Sequence, residues 1–115
     1  RVEKMHLTLG RTGLLPHFKD VLFSASMVER GKPAPDLFLH AARTMGFEPQ
    51  DCIVIEDSVP GTQAGVAAGM RVFSYHGDAM TDIEGLRAAG GILFDDMRKL
   101  AAIIPIAWCE RIPIA

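Results

Sequence analysis

A parallel α/β sheet with flanking helices is the fold this 115-residue sequence predicts, and three observations carry the prediction. Strand-like and helix-like stretches alternate at short intervals along the chain, the pattern of βαβ units. Ile53, Val54 and Ile55 form an apolar β-branched run without alternation, which suits a strand buried on both faces. Directly after it, Gly61, Gly65 and Gly69 recur at four-residue spacing with Ala64, Ala67 and Ala68 between them. Glycine inside a helix costs about 1 kcal/mol relative to alanine, so a helix this bare must lie close to something, most simply the sheet.

In chain order, residues 1–13 have a moderate helical pattern (Val2, Met5, Leu7, Leu9), with Gly10 and Gly13 as places to stop. They contain no signal-peptide apolar segment. Residues 14–18 are a short connector, and residues 20–23, DVLF, a short strand candidate. Residues 36–45, DLFLHAARTM, are the clearest amphipathic helix: Leu37, Phe38, Ala41, Ala42 and Met45 share one face, and Gly46 stops it. Pro49 marks a turn before the strand that starts at Cys52. Ser58 is an N-cap candidate for the glycine–alanine helix, Pro60 fits its first turn, and Gly69 its left-handed end. Residues 71–75 read as a strand, 81–89 as a helix, 91–94 as a last short strand and 96–104 as a last helix. The tail, 105–115, is too apolar for a solvated end and has no assigned role.

Composition narrows the function. A formal charge of −2 with no basic run gives no electrostatic reason to expect nucleic acid. No stretch approaches the ~20 apolar residues of a membrane span. Two cysteines, Cys52 and Cys109, do not make a disulfide framework. Cys52 reads as a small core residue of a reducing, cytoplasmic compartment. The first residue is Arg1, which reads as the start of a fragment or processed chain.

The chemistry gathers where the central strand ends. Glu56 and Asp57 are adjacent acids at the carboxyl edge of that strand, where open α/β sheets bind their ligands. On a regular strand they would point apart; on a turn both reach one point, and a hard cation such as Mg²⁺ relieves their repulsion. The alternative is an acid that only favours the following helix dipole. Upstream, Gly31-Lys32-Pro33-Ala34-Pro35-Asp36 is a turn stiffened by two prolines, a suitable mount for one ammonium group. The alternative there is a solvated loop lysine.

Taken together, GKPAPDLF, an apolar strand and EDSVPGTQAGVAAGM closely resemble the haloacid dehalogenase superfamily of phosphotransferases, nearest its β-phosphoglucomutase-like sugar-phosphate phosphatases. The resemblance covers roughly residues 1–100. It implies a Rossmann-like sheet in which Lys32 contacts the transferring phosphate and the nucleophile. Glu56 and Asp57 hold Mg²⁺, Asp57 more directly, and the Ser58 hydroxyl supports them from behind. It implies a Mg²⁺-dependent phosphatase or mutase, acting on a small phosphorylated metabolite through an aspartyl-phosphate.

One departure is as informative. The family's nucleophile and acid/base stand in an Asp-x-Asp pair, and no Asp-x-Asp occurs in this sequence. Its phosphate-holding Ser or Thr closes a strand before the first helix, whereas Ser24 and Ser26 follow it. The cap that selects substrate is also absent. Residues 1–104 are therefore expected to be the C-terminal portion of a core domain, incomplete without its nucleophile strand, with 105–115 apart from it. The missing strands would lie between that of residues 20–23 and that of Cys52, leaving open sheet edges. The chain alone is expected to be inactive. A dead remnant or binding protein is the second reading, and a phosphorylation-receiver module the third, disfavoured because Lys32 precedes the acids.

Other candidates read as structural. Asp78 and Asp82, in Gly77-Asp78-Ala79-Met80-Thr81-Asp82, suit a loop and a helix cap, and Asp95-Asp96 another cap. His6, His17, His40 and His76 share no metal spacing, and Cys109 has no catalytic setting.

Overall fold

The computed structural model describes Phe23 and residues 25–103. The expected helix of residues 1–13, nearly all of the 20–23 strand and the 105–115 tail lie outside them. Phe23 itself is buried and belongs to no strand.

The first helix, α1, spans Asp36–Met45, and its apolar stripe buries Leu37, Phe38, Ala41 and Ala42. It stops where expected: Gly46 takes φ +79°, and the N–H groups of Gly46 and Phe47 close on the carbonyls of Arg43 and Ala42. A 3₁₀ turn, Pro49–Asp51, leads into β1, Ile53–Glu56. Cys52 ends that turn instead of opening the strand. It is buried, and burial pushes its thiol up, which suits an unreactive core residue.

Helix α2, Val59–Ala67, returns the chain to β2, Arg71–Tyr75; α3, Ile83–Ala88, returns it to β3, Ile92–Phe94. Helix α3 is shorter than its pattern suggested because Asp82 caps it, its carboxylate accepting from the Gly85 N–H at 2.9 Å. The last helical stretch splits into a 3₁₀ turn, Met97–Lys99, capped by Asp96, and a short α4, Leu100–Ile103.

The three strands are parallel in the order β1-β2-β3. Register pairs Glu56 with Ser74 and Tyr75 with Phe94, so all three strands end at one edge. One face of the sheet packs Val54 and Val72 against α2, with Phe38 and Ala42 of α1 in the same core. The other packs Ile53, Phe73 and Phe94, with Leu100 of α4 beside them. Burying each of these larger side chains stabilises the fold by roughly 1.5–3 kcal/mol.

The bare helix lies close to the sheet for a visible reason. A Cβ on Gly65 would stand 2.5 Å from Val72 Cγ2 and 3.3 Å from Val54 Cγ2. One further tie was not legible in the sequence: the buried hydroxyls of Thr62 and Ser74, 2.8 Å apart, join α2 to β2. Among the described residues, β1 pairs only with β2, so its outer edge carries no ladder partner.

Candidate active site

At the carboxyl edge of β1 the chain changes direction within two residues. Glu56 is the last strand residue and Ser58 the N-cap of α2, its Oγ accepting from the Gly61 N–H at 3.0 Å. Asp57 stands between them, exposed, and its carboxylate makes no hydrogen bond or ion pair among the described residues.

Glu56 is fully engaged. Its Oε2 accepts from Lys32 Nζ at 2.7 Å; its Oε1 accepts from the Asp57 N–H at 3.2 Å and the Ser58 hydroxyl at 3.4 Å. The two charged side chains are 26 % and 11 % exposed, so they are only partly screened by water. Losing either would leave the other's charge in a partly desolvated place, which costs more than the pair's own attraction suggests. The lysine ammonium also sits 5.1 Å from the centre of the Phe38 ring on α1, a cation–π distance. The Lys32–Pro33 peptide is cis.

All four residues singled out in the sequence are therefore brought to one edge, with distinct surroundings. Lys32 and Glu56 form an ion pair, Ser58 supports Glu56 and caps the helix, and Asp57 is left open to solvent. Sequence reasoning missed why Gly61 must be small. A Cβ there would fall 2.0 Å from Glu56 Cδ, so the glycine leaves the room in which the glutamate lies across the start of α2. It also missed Phe38 beneath Lys32.

Two hollows flank Asp57. One, about 390 Å³, runs from Asp57 to Asp78 past Tyr75 and Met80; the other, about 270 Å³, lies over Ile55, Tyr75 and Met97. A slightly larger one, about 420 Å³, lies at the far end of α1 around Phe47 and Pro49, ahead of β1. Ligands of such sheets bind beyond the carboxyl ends of the strands, so the pair beside Asp57 is the relevant one. Asp78 and Asp82 border it but are in use: Asp78 Oδ1 accepts from the Met80 N–H at 2.9 Å, and Asp82 caps α3.

As a cation site the edge is partial. Asp57 offers hard oxygen donors that fit Mg²⁺, but no group of three His, Cys, Asp or Glu side chains among the described residues is arranged to hold a metal.

A parallel sheet packed on both faces, with a lysine–glutamate pair at its carboxyl edge and beside it an aspartate that no described residue engages, defines a Rossmann-like fold. The chain belongs to the haloacid dehalogenase-like hydrolase family, whose sequence profile matches residues 3–69. It is 43 % identical over 76 residues to the 6-phosphogluconate phosphatase of Escherichia coli, a match covering 66 % of this chain and 34 % of that protein. It is 52 % identical over 54 residues to the bifunctional riboflavin kinase/FMN phosphatase of Arabidopsis thaliana, covering 47 % of this chain and 14 % of that protein. Among solved structures, a haloacid dehalogenase family hydrolase from Deinococcus radiodurans, with bound phosphate and sodium, superposes with a TM-score of 0.77 at 34 % identity. That match covers 89 % of this chain and 47 % of the other. The chain thus spans less than half the length of each of these relatives.

Proposed function

We propose that this chain is the lysine- and acid-bearing part of a hydrolase that removes phosphate from small metabolites, sugar phosphates first among them. The observation that carries the reading is the Lys32–Glu56 ion pair beside a free Asp57 at the sheet's carboxyl edge. Two relatives support the substrate class by name, one a phosphatase of 6-phosphogluconate and the other of FMN.

In this reading, residues 1–104 are the C-terminal part of a core domain that works with an Asp-x-Asp strand supplied from elsewhere. That aspartate attacks phosphorus, the bond to the leaving alcohol breaks, and water then hydrolyses the aspartyl-phosphate to inorganic phosphate. Lys32 supplies a fixed positive charge toward the phosphoryl oxygens, and needs no reorganisation because Glu56 and Phe38 already hold it. Asp57 would hold Mg²⁺, with Glu56 reaching it less directly and Ser58 steadying Glu56. When bound, Mg²⁺ offsets charge on the phosphoryl group. Nothing in the charge pattern calls for nucleic acid, and no described helix is long and apolar enough to cross a membrane. The buried free thiol of Cys52 fits a cytoplasmic setting.

The test is a chimera. The nucleophile and cap segments of the Escherichia coli 6-phosphogluconate phosphatase are joined ahead of this chain, and phosphate release is assayed on a panel of sugar phosphates. The chain alone should show no turnover and should bind Mg²⁺ only at about millimolar concentration or weaker, with one free carboxylate to offer. The chimera should gain Mg²⁺-dependent release. Asp78→Asn should leave it within about twofold, since that side chain serves a local turn. A folded chimera without activity on any phosphate monoester would refute the reading.

A further inference from the structure

Lys32 sits in a loop with few anchors. Across residues 30–34, its ties are the Lys32–Glu56 bond itself, a turn bond from the Ala34 N–H to the Gly31 carbonyl at 3.0 Å, and one side-chain pair. That pair is Arg30 with Asp36: Nη2 donates to Oδ1 at 2.9 Å and Nε to Oδ2 at 3.3 Å, a two-pronged grip. Arg30 is the last residue before the loop and Asp36 the first of α1, so the grip joins the loop's two ends.

Asp36 is in the right place for an ordinary helix-start aspartate, yet α1 has no side-chain cap. Its carboxylate turns back across the loop to the guanidinium instead. Helix α1 is fixed by Leu37, Phe38, Ala41 and Ala42 in the core, and Phe38, two residues past Asp36, is the ring beside the lysine ammonium. The same helical turn therefore grips the far side of the loop and receives Lys32. Bidentate arginine–carboxylate pairs fix orientation as well as distance, which a single lysine contact would not.

We propose that Arg30 and Asp36 are positioning residues: they close the 31–35 loop so that Lys32 is held against Glu56 with its charge facing the phosphate site. Its bearing on turnover rests on the hydrolase reading; the position of Lys32 does not, and can be measured without substrate. The measurement is the acetylation rate of individual lysines in the 115-residue chain under limiting acetic anhydride, followed by peptide mass spectrometry. Lys99, paired with Asp95 at 2.9 Å in the turn after β3, serves as internal reference. Glu56→Ala, which removes both the charge partner and its hydrogen bond, marks the rate of a released Lys32.

Arg30→Met and Asp36→Asn should each raise the Lys32 rate about threefold toward that mark, with Lys99 unchanged. The double exchange Arg30→Asp with Asp36→Arg should return it most of the way, which a loss of bulk or helix charge would not. An unchanged Lys32 rate in both single variants overturns the proposal. So does an equal rise at Lys99, which would mean general loosening, or failure of the exchange to restore protection.

Discussion

Gly65→Leu is expected to destabilise the fold by about 3 kcal/mol or more, although leucine is the better helix former by almost 1 kcal/mol. The two effects have opposite signs, and geometry decides between them. The first added carbon alone would meet Val72 Cγ2 at 2.5 Å, and the leucine adds three more. Val72 has no room to yield: it is β-branched, 2 % exposed, and paired with Val54 of β1 in the sheet beneath the helix. Helix α2 would have to rise off the sheet, carrying with it the Ser58 cap, the Gly61 gap and the Thr62–Ser74 hydrogen bond. Denaturant midpoints measure this directly. Val66→Ala, next along the helix but 43 % exposed, should shift the midpoint little and serves as the control. A Gly65→Leu protein as stable as the parent would mean that α2 does not lie where the bare helix implied.

That closeness was legible because it depends on what a residue lacks. Three glycines in one register can be read without coordinates, as can an apolar β-branched run or an amphipathic stripe ending in glycine. Helix α1 accordingly has the bounds its pattern predicted, and β2 likewise. Less legible were ends set by competing local bonds. Asp82 shortens α3 by capping it, and Asp96 starts its stretch as a 3₁₀ turn before the helix proper.

The site was legible as a set of positions but not as a set of contacts. Lys32, Glu56, Asp57 and Ser58 stand out together in the sequence, with both acids on one cation and Asp57 the more direct. The structure gives Glu56 to Lys32 and leaves Asp57 open, because the chain turns between them. Sequence spacing cannot show that a lysine 24 residues upstream reaches one acid and not its neighbour. The Arg30–Asp36 grip was hidden for the same reason: an aspartate at a helix start looks like a cap until its partner is located.

This division of labour sets the expectations for catalysis in the chimera. Asp57→Asn should lower kcat/KM by about a hundredfold to a thousandfold, because it removes one negative charge from a carboxylate at the edge that no described residue engages, while keeping its shape. The loss should track Mg²⁺, with a higher concentration needed for half activity. Lys32→Met should be as severe for a different reason. It removes the fixed positive charge and leaves Glu56, 11 % exposed, facing the phosphate with no counter-ion. Its Mg²⁺ requirement should change less than that of Asp57→Asn. Glu56→Gln should be milder, about tenfold, since the amide oxygen can still accept from Lys32 but no longer holds it by charge. Thermal melts on each variant separate lost chemistry from lost fold, and Asp57→Asn, at an exposed residue, should melt with the parent. Should Asp57→Asn keep full activity while Asp78→Asn destroys it, the cation belongs on the turn after β2 and the assignment of this edge is wrong.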